Sequence, residues 1–162
     1  MKSISNTPAS ASRLSRRNFG KTLAGLATAS FFVAVNAQST GATGQNGSKK
    51  SKLVIQMSDA DPAKWNLALN NAKNVQEDLG AANVEIEIVA YGPAIGMLKA
   101  DSTTANRVTE ALKAGVAVVA CENTMRNQKL VKDDMHPAIS YAPSGVTEIM
   151  KKQGEGWAYI RP

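Results

Sequence analysis

The chain has 162 residues, which is enough for one well-buried domain and too few to predict two. Its formal net charge of +6 comes from the N-terminus, because residues 1–37 hold five of the 19 basic residues and none of the 13 acidic ones. The nearly neutral remainder has few aromatic residues and no basic stripe, which argues against nucleic-acid binding. The single cysteine excludes a domain held together by internal disulfides.

The first 37 residues have the features of an export signal. Residues 15–21, SRRNFGK, match the twin-arginine pattern, and a weakly apolar stretch follows at residues 22–35. We expect cleavage after Ala37 and a periplasmic protein. A membrane anchor is the alternative, but the apolar stretch is shorter than the roughly 20 residues that a span needs. Residues 38–52 are polar and glycine-rich, which predicts a flexible linker before a domain over residues 53–162.

Short apolar runs alternate with helical patterns in the rest of the chain. The runs predicted as strands are 53–57, 84–91, 116–121, 139–142 and 157–160, and the predicted helices are 62–79, 104–114, 123–130 and 146–153. Asp61 is predicted to cap the first helix, with Pro62 at its first position. Because parallel neighbours need crossover connections, the alternation predicts an α/β/α sandwich with a mainly parallel sheet of about five strands, flavodoxin-like in outline.

Three finer expectations concern single elements. The residues predicted on the inner face of the first helix are Trp65, Leu67, Leu69, Ala72, Val75 and Leu79. The strand at 84–91 alternates acidic and apolar residues, which predicts a partly exposed face and a position near a sheet edge. Residues 92–96 are predicted as a Gly/Pro-rich loop, followed by a helical turn at 97–99.

Cys121 is the last residue of the third predicted strand and precedes a predicted helix. Ligands of open α/β sheets bind at this edge, and a helix N-terminus favours an anion, the form in which a thiol reacts. Asn123, Thr124 and Arg126 are predicted to support a thiolate, and Glu122 opposes it. A free cysteine can also be a small buried apolar residue, and its position alone leaves both interpretations open.

Two loops are predicted to reach the same edge and to shape a pocket there. Their residues are Ser58, Asp59 and Asp61 after the first strand and Tyr91, Gly92 and Pro93 after the second. The first loop lacks the glycines of a dinucleotide fingerprint and the Gly-Lys-Ser/Thr of a P-loop, so no cofactor is predicted. Asp59 and Asp61 could do acid–base work, but a helix start accounts for both.

His136 is the only histidine and lies in a segment predicted to be irregular, before Pro137. We expect it at the surface. A soft metal site with Cys121 and Met125 is conceivable, but these residues offer too few ligands for a metal to be predicted.

Three short segments point to a known family: Tyr91-Gly92-Pro93, residues 118–125 (VVACENTM) and residues 145–149 (GVTEI). With the order of strands, they make residues 52–162 resemble the DsrE/DsrF-like (YchN-like) proteins of bacterial sulfur metabolism. In sulfur-relay members a cysteine at the end of the third strand accepts a persulfide sulfur, and Cys121 matches it. The resemblance further implies a homo-oligomer, a trimer or hexamer, with sulfur donor and acceptor thiols or proteins as partners. Those members work in the cytoplasm, however, whereas this chain carries an export signal.

The sequence leaves three classes of function open. An exported protein could carry sulfane sulfur on Cys121. It could instead be a non-catalytic oligomer that binds a small ligand or metal at the same sheet edge. A purely structural or interaction role is the third class, and full burial of Cys121 away from any pocket would favour it.

Overall fold

Strands and helices alternate along the chain in the predicted order. The structure is a computed structural model that describes residues 49–162, so the predicted export signal and most of the predicted linker lie outside the described residues. The strands are β1 (Ser51–Met57), β2 (Val84–Ala90), β3 (Ala117–Cys121), β4 (Ser140–Ala142) and β5 (Ala158–Ile160). The helices are α1 (Pro62–Leu79), α2 (Ala105–Lys113), α3 (Glu122–Asn127) and α4 (Gly145–Gly154), and 3-10 helices cover Ala81–Asn83, Gly92–Leu98 and Lys132–Asp134.

The five strands form one sheet in the order β4-β3-β2-β1-β5, and every neighbouring pair is parallel. The predicted α/β fold with a parallel sheet is therefore confirmed. β2 is the central strand, so its predicted position near an edge is wrong. The acidic residues of β2 suggested an exposed strand, but Glu87 is only 5 % exposed because it forms an ion pair with Lys152 of α4 at 2.8 Å.

The two faces of the sheet are covered unequally. The larger core packs one face against α1 and α2, through residues such as Ile55, Ile88, Val118, Leu69 and Val108. On the other face a smaller cluster joins α4 to the sheet: Val54, Val89, Val119, Ala142 and Ile149. α4 therefore lies on the face to which Val119 and, two residues later, Cys121 project.

The inner face of α1 is narrower than predicted. Trp65, Leu69 and Ala72 are buried, but Leu67 is 45 % exposed because residues two apart do not share a helix face. Leu79 is 46 % exposed, and no residue of α1 after Ala72 is buried. Asp61 caps the helix as predicted, with its Oδ1 accepting from the Ala63 N–H at 2.8 Å.

The segment around His136 is ordered against the core, so the predicted surface histidine is wrong. His136 is 8 % exposed, and its backbone N–H donates to the Leu98 carbonyl at 2.8 Å. Its Nδ1 accepts from the Ala138 N–H at 3.3 Å, which leaves Nε2–H to donate to Thr109 Oγ1 at 2.8 Å. Residues 92–98 are likewise a 3-10 helix with a buried apolar side rather than a loop and a separate turn.

Within residues 49–162, none of the helices combines the length and apolar character needed to cross a membrane.

Candidate functional site

Cys121 ends β3 and caps α3. Residues 118–121 are buried in the sheet, and Cys121 itself has an extended backbone (φ −79°, ψ 112°) immediately before the first helical residue, Glu122. This is the predicted junction of strand and helix. It places the sulfur at the carboxyl edge of the sheet, beside the backbone N–H groups that open α3.

Hydrogen-bond donors surround the sulfur on several sides. The Thr124 hydroxyl and the backbone N–H groups of Gly145, Thr124 and Asn123 are the neighbouring donors that lower the pKa of its thiol. Burial raises the pKa of the Cys121 thiol, but these donors outweigh burial, and the pKa lies below its ordinary value. The Asn123 N–H also donates to the Pro143 carbonyl at 3.2 Å.

The Thr124 hydroxyl links the Cys121 site to Gly92. The Gly92 N–H donates to Thr124 Oγ1 at 2.9 Å. The hydroxyl hydrogen stays available for donation, and the hydroxyl is one of the groups that lower the pKa of the Cys121 thiol. Gly92 has a positive φ of 55°, which suits glycine and turns its N–H toward Thr124.

Gly145, the first residue of α4, packs directly on the cysteine. A Cβ at this position would lie 3.1 Å from Tyr91 Cβ and 3.3 Å from Cys121 Cβ. The absence of a side chain therefore lets the N-terminus of α4 approach closely enough to donate to the sulfur. The same contact encloses Cys121, which is 4 % exposed.

The predicted pocket loops separate into two groups. Tyr91 and Gly92 contact the Cys121 site as described above, and Pro93 is exposed at the start of the 3-10 helix. Ser58, Asp59 and Asp61 instead have their hydrogen bonds and ion pairs with α1, β1 and the C-terminus.

Asp59 is held as an ion by its neighbours. Lys64 and Arg161, each at 3.2 Å, lower the pKa of its carboxyl group. A carboxylate with a lowered pKa between two cations suits a structural ion pair better than acid–base work.

Arg126 pairs with Asn123. It is exposed and donates to the side-chain oxygen of Asn123. The groups that shift the pKa of Cys121 do not include it. The donors next to the sulfur are therefore backbone N–H groups and one hydroxyl group.

Sequence reasoning missed Gly145 as a site residue. It belongs to a different chain segment from Cys121, and contact between them depends on how α4 crosses the sheet. The available signal was a Ser-Gly pair opening the helix that follows the strand next to β3.

The arrangement offers one chemistry, that of a stabilised sulfur anion. Among residues 49–162, no group of three or more His, Cys, Asp and Glu residues could hold a metal ion. Neither of the two cavities described for this part of the chain includes Cys121 in its lining.

Comparisons with known proteins place this geometry in a family. The DsrE/DsrF-like family matches residues 50–162. The chain is 35 % identical to MTH1491, a protein of unknown function from Methanobacterium thermoautotrophicum, with a TM-score of 0.67 over 70 % of this chain and 100 % of that one. No curated protein matches.

Two further solved structures share the fold at low sequence identity. BT1422, a conserved protein of unknown function from Bacteroides thetaiotaomicron, is 16 % identical with a TM-score of 0.58, over 69 % of this chain and 95 % of that one. The ychN protein from E. coli is 10 % identical with a TM-score of 0.57, over 70 % and 99 %. Because the family match covers more than half of the sequence, this chain belongs to the DsrE/DsrF-like family.

Proposed function

We propose that this protein accepts sulfane sulfur and carries it as a persulfide on Cys121. The observation that supports this most directly is the set of donors around the sulfur, which lowers the pKa of the thiol although the residue is buried. The thiolate is the nucleophile in sulfur exchange, so a site that favours it favours this reaction. Membership of a family linked to sulfur metabolism agrees with the proposal.

Loading is an exchange at sulfur. The Cys121 thiolate attacks the terminal sulfur of a polysulfide, a new S–S bond forms at Sγ, and the adjacent S–S bond of the donor breaks. The shortened polysulfide leaves with the electron pair. An acceptor thiolate then attacks the outer sulfur, takes it as its own persulfide, and returns Cys121 to the thiolate. The Gly145 and Thr124 donors stabilise the anion before loading and after release.

Burial of the thiol limits the sulfur donor. Cys121 is 4 % exposed, and Tyr91 and Gly145 pack closely against it. We expect small inorganic polysulfide to load faster than a bulky organic persulfide.

We propose the periplasm as the site of action, on the basis of the twin-arginine pattern in residues 15–21. A homo-oligomer, a trimer or hexamer, is proposed from the family resemblance. An enclosed thiol suits an oxidising compartment, because enclosure slows its reaction with oxidants.

The test is intact mass after incubation with polysulfide. The wild-type protein should gain about 32 Da per added sulfur atom, and the gain should disappear on treatment with a reductant. Cys121→Ser is the matched control and should gain nothing. A wild-type protein that stays unmodified, or a serine variant that gains the same mass, would contradict sulfur carriage through Cys121.

A structural role for the thiol is the second candidate, and the 4 % exposure of Cys121 favours it. In that case the native protein should resist small alkylating reagents until it unfolds. If the folded protein is alkylated, and the rate of alkylation increases as the pH rises through the pKa of the thiol, the structural role fails and the site is reactive.

A further inference from the structure

A cleft lies at the amino end of the sheet, at the opposite end of β3 from Cys121. Its volume is about 430 Å³, within the range of small-molecule sites. Its lining includes Glu85 and Glu87 of β2, Ala117 at the start of β3, and Lys152 and Trp157 at the end of α4 and just beyond it. It is therefore a separate site from the sulfur of Cys121.

Two buried polar atoms in the residues that line this cleft lack a partner. Within the described residues, neither Glu87 Oε1 nor Trp157 Nε1 has a hydrogen bond. Glu87 is 5 % exposed, and only its other oxygen is paired, with Lys152 Nζ at 2.8 Å. A buried polar group left unpaired destabilises the fold, so two such atoms in residues that line one cleft call for an explanation.

The two atoms require complementary partners. Glu87 Oε1 is an anionic acceptor and needs a donor, whereas Trp157 Nε1–H is a donor and needs an acceptor. Burial raises the pKa of Glu87 in spite of Lys152, and the charges of Glu148 and Glu155 raise it further. Because Lys152 also pairs with Glu148 at 3.8 Å, it does not fully balance the charge of the Glu87 carboxylate. A second cationic donor would complete the balance.

Charged groups of both signs lie in and beside the cleft. Lys50 is exposed at the rim and has no ion pair within residues 49–162. The ammonium groups of Lys52 and Lys152 lie 5.5 Å and 4.4 Å from the centre of the Trp157 ring. A purely cationic ligand would meet these lysines, and a purely anionic ligand would meet Glu85 and Glu87.

We propose that the cleft binds a small zwitterion of the amino-acid class. Its ammonium group donates to Glu87 Oε1, and its carboxylate accepts from Trp157 Nε1–H and pairs with Lys50. Ala81, Ala114, Gly115 and Ala117 line the remainder of the cleft and leave room for a side chain. Both unpartnered atoms have almost no accessible surface, so the flexible Lys152 side chain shifts when the ligand enters.

The test is calorimetric titration of the full chain with each of the standard amino acids, and with acetate and ethylamine as the two isolated halves of glycine-like ligands. At least one amino acid should bind about tenfold more tightly than either half, because only the zwitterion satisfies both atoms. Glu87→Gln should weaken binding about tenfold or more, and Trp157→Phe, which keeps a ring but removes the N–H, several-fold. Cys121→Ser should bind as the wild type does, which separates this site from sulfur carriage.

Several outcomes would overturn the proposal. In the first, no amino acid binds. In the second, acetate or ethylamine binds as tightly as the best amino acid. In the third, Glu87→Gln and Trp157→Phe both bind that amino acid with the affinity of the wild type. If Glu87→Gln fails to fold, Trp157→Phe decides alone. If its affinity equals that of the wild type, the unpartnered N–H is not part of a ligand site.

Discussion

Each end of α4 contacts a buried group on the same sheet face that can carry a negative charge, and the pKa values of these two groups shift in opposite directions. At the N-terminal end, the Gly145 N–H is one of the donors that hold the pKa of the Cys121 thiol below its ordinary value in spite of burial. At the C-terminal end, Lys152 pairs with Glu87, and burial still raises the pKa of that carboxyl group. Both groups pay a cost for leaving water, but only the sulfur has enough donors to outweigh it.

The difference lies in how the donors are held. The N–H groups at the sulfur are part of helix starts and cannot turn away, so they stabilise an anion without further ordering. Lys152 must hold a long side chain in one geometry, and its ammonium group is shared between Glu87 at 2.8 Å and Glu148 at 3.8 Å, while the second carboxylate oxygen of Glu87 has no partner within the described residues. The anion at Glu87 therefore depends on a single side chain, whereas the one at Cys121 depends on the fold.

The largest expected effect is the loss of that single side chain. Lys152→Met leaves the Glu87 carboxylate buried without a cation, and the free energy of unfolding at neutral pH should fall by about 2–4 kcal/mol. Lys151→Met removes the same charge from an exposed neighbour and should change it by less than about 0.5 kcal/mol. Denaturant unfolding of both variants measures the difference.

The pH dependence of the Lys152→Met loss tests its cause. Because the folded-state pKa of Glu87 is raised, the penalty applies above that pKa and is relieved as the pH falls and the carboxyl group binds a proton. The gap between wild type and variant should therefore narrow toward acidic pH. A gap that stays constant would mean that lost packing, not charge, destabilises the variant.

A methyl group at Gly145 should disturb the opposite end of α4. In Gly145→Ala the new Cβ lies 3.1–3.3 Å from side-chain atoms of Tyr91 and Cys121, so the helix start must move away. Overpacking of this kind costs about 1–3 kcal/mol of unfolding free energy. The thiol pKa, followed by the ultraviolet absorbance of the thiolate, should rise because the Gly145 N–H retreats from the sulfur.

Gly154→Ala is the matched control for that experiment, since it lies on the same helix and no atom lies within 4 Å of its added Cβ. It should leave the thiol pKa unchanged and stabilise the protein slightly, by up to about 1 kcal/mol. Equal effects of the two alanines would mean that close packing at Gly145 does not set the position of the donor.

The elements could be predicted from the sequence because their signals are local. Asp61 and Pro62 mark a helix start within two residues, and the apolar run that ends at Cys121 locates a strand and its edge. The order of strands in the sheet is not local. The alternating glutamates of β2 suggested an exposed strand. The residue that allows Glu87 to be buried is Lys152, which lies far along the chain, in the helix that precedes β5.

The candidate site shows the same division. Thr124 could be named because it follows Cys121 within one helical turn, and its hydroxyl is among the groups that lower the pKa of the thiol. Gly145 could not be named, because its contact arises only when α4 packs on the sheet. The direction of the Arg126 side chain could not be predicted either, because the Asn123 side chain is an alternative partner for its guanidinium group.

A smaller loss of stability than that of Lys152→Met or Gly145→Ala is expected for Thr124→Val, which keeps the shape of the side chain but removes its hydroxyl group. The Gly92 N–H loses its acceptor and the sulfur loses a donor, at a cost of about 1–2 kcal/mol. The thiol pKa should rise, and Thr124→Ser should keep it near the wild-type value. The stability that a lowered thiol pKa contributes grows as the pH rises above the folded-state pKa and is complete above the pKa of the unfolded thiol, so the gap in unfolding free energy should widen between these two values.

Arg126→Ala decides which kind of donor stabilises the sulfur. Its guanidinium is exposed and bound to the Asn123 side chain, so its removal should leave the thiolate titration unchanged. Salt would also screen such an exposed charge, whereas the Thr124 hydroxyl and the helix N–H groups act at contact distance. If Arg126→Ala raised the thiol pKa more than Thr124→Val does, an exposed cation would be the main support of the anion. Cys121 would then depend on one flexible side chain, as Glu87 does, and the two ends of α4 would not differ in kind.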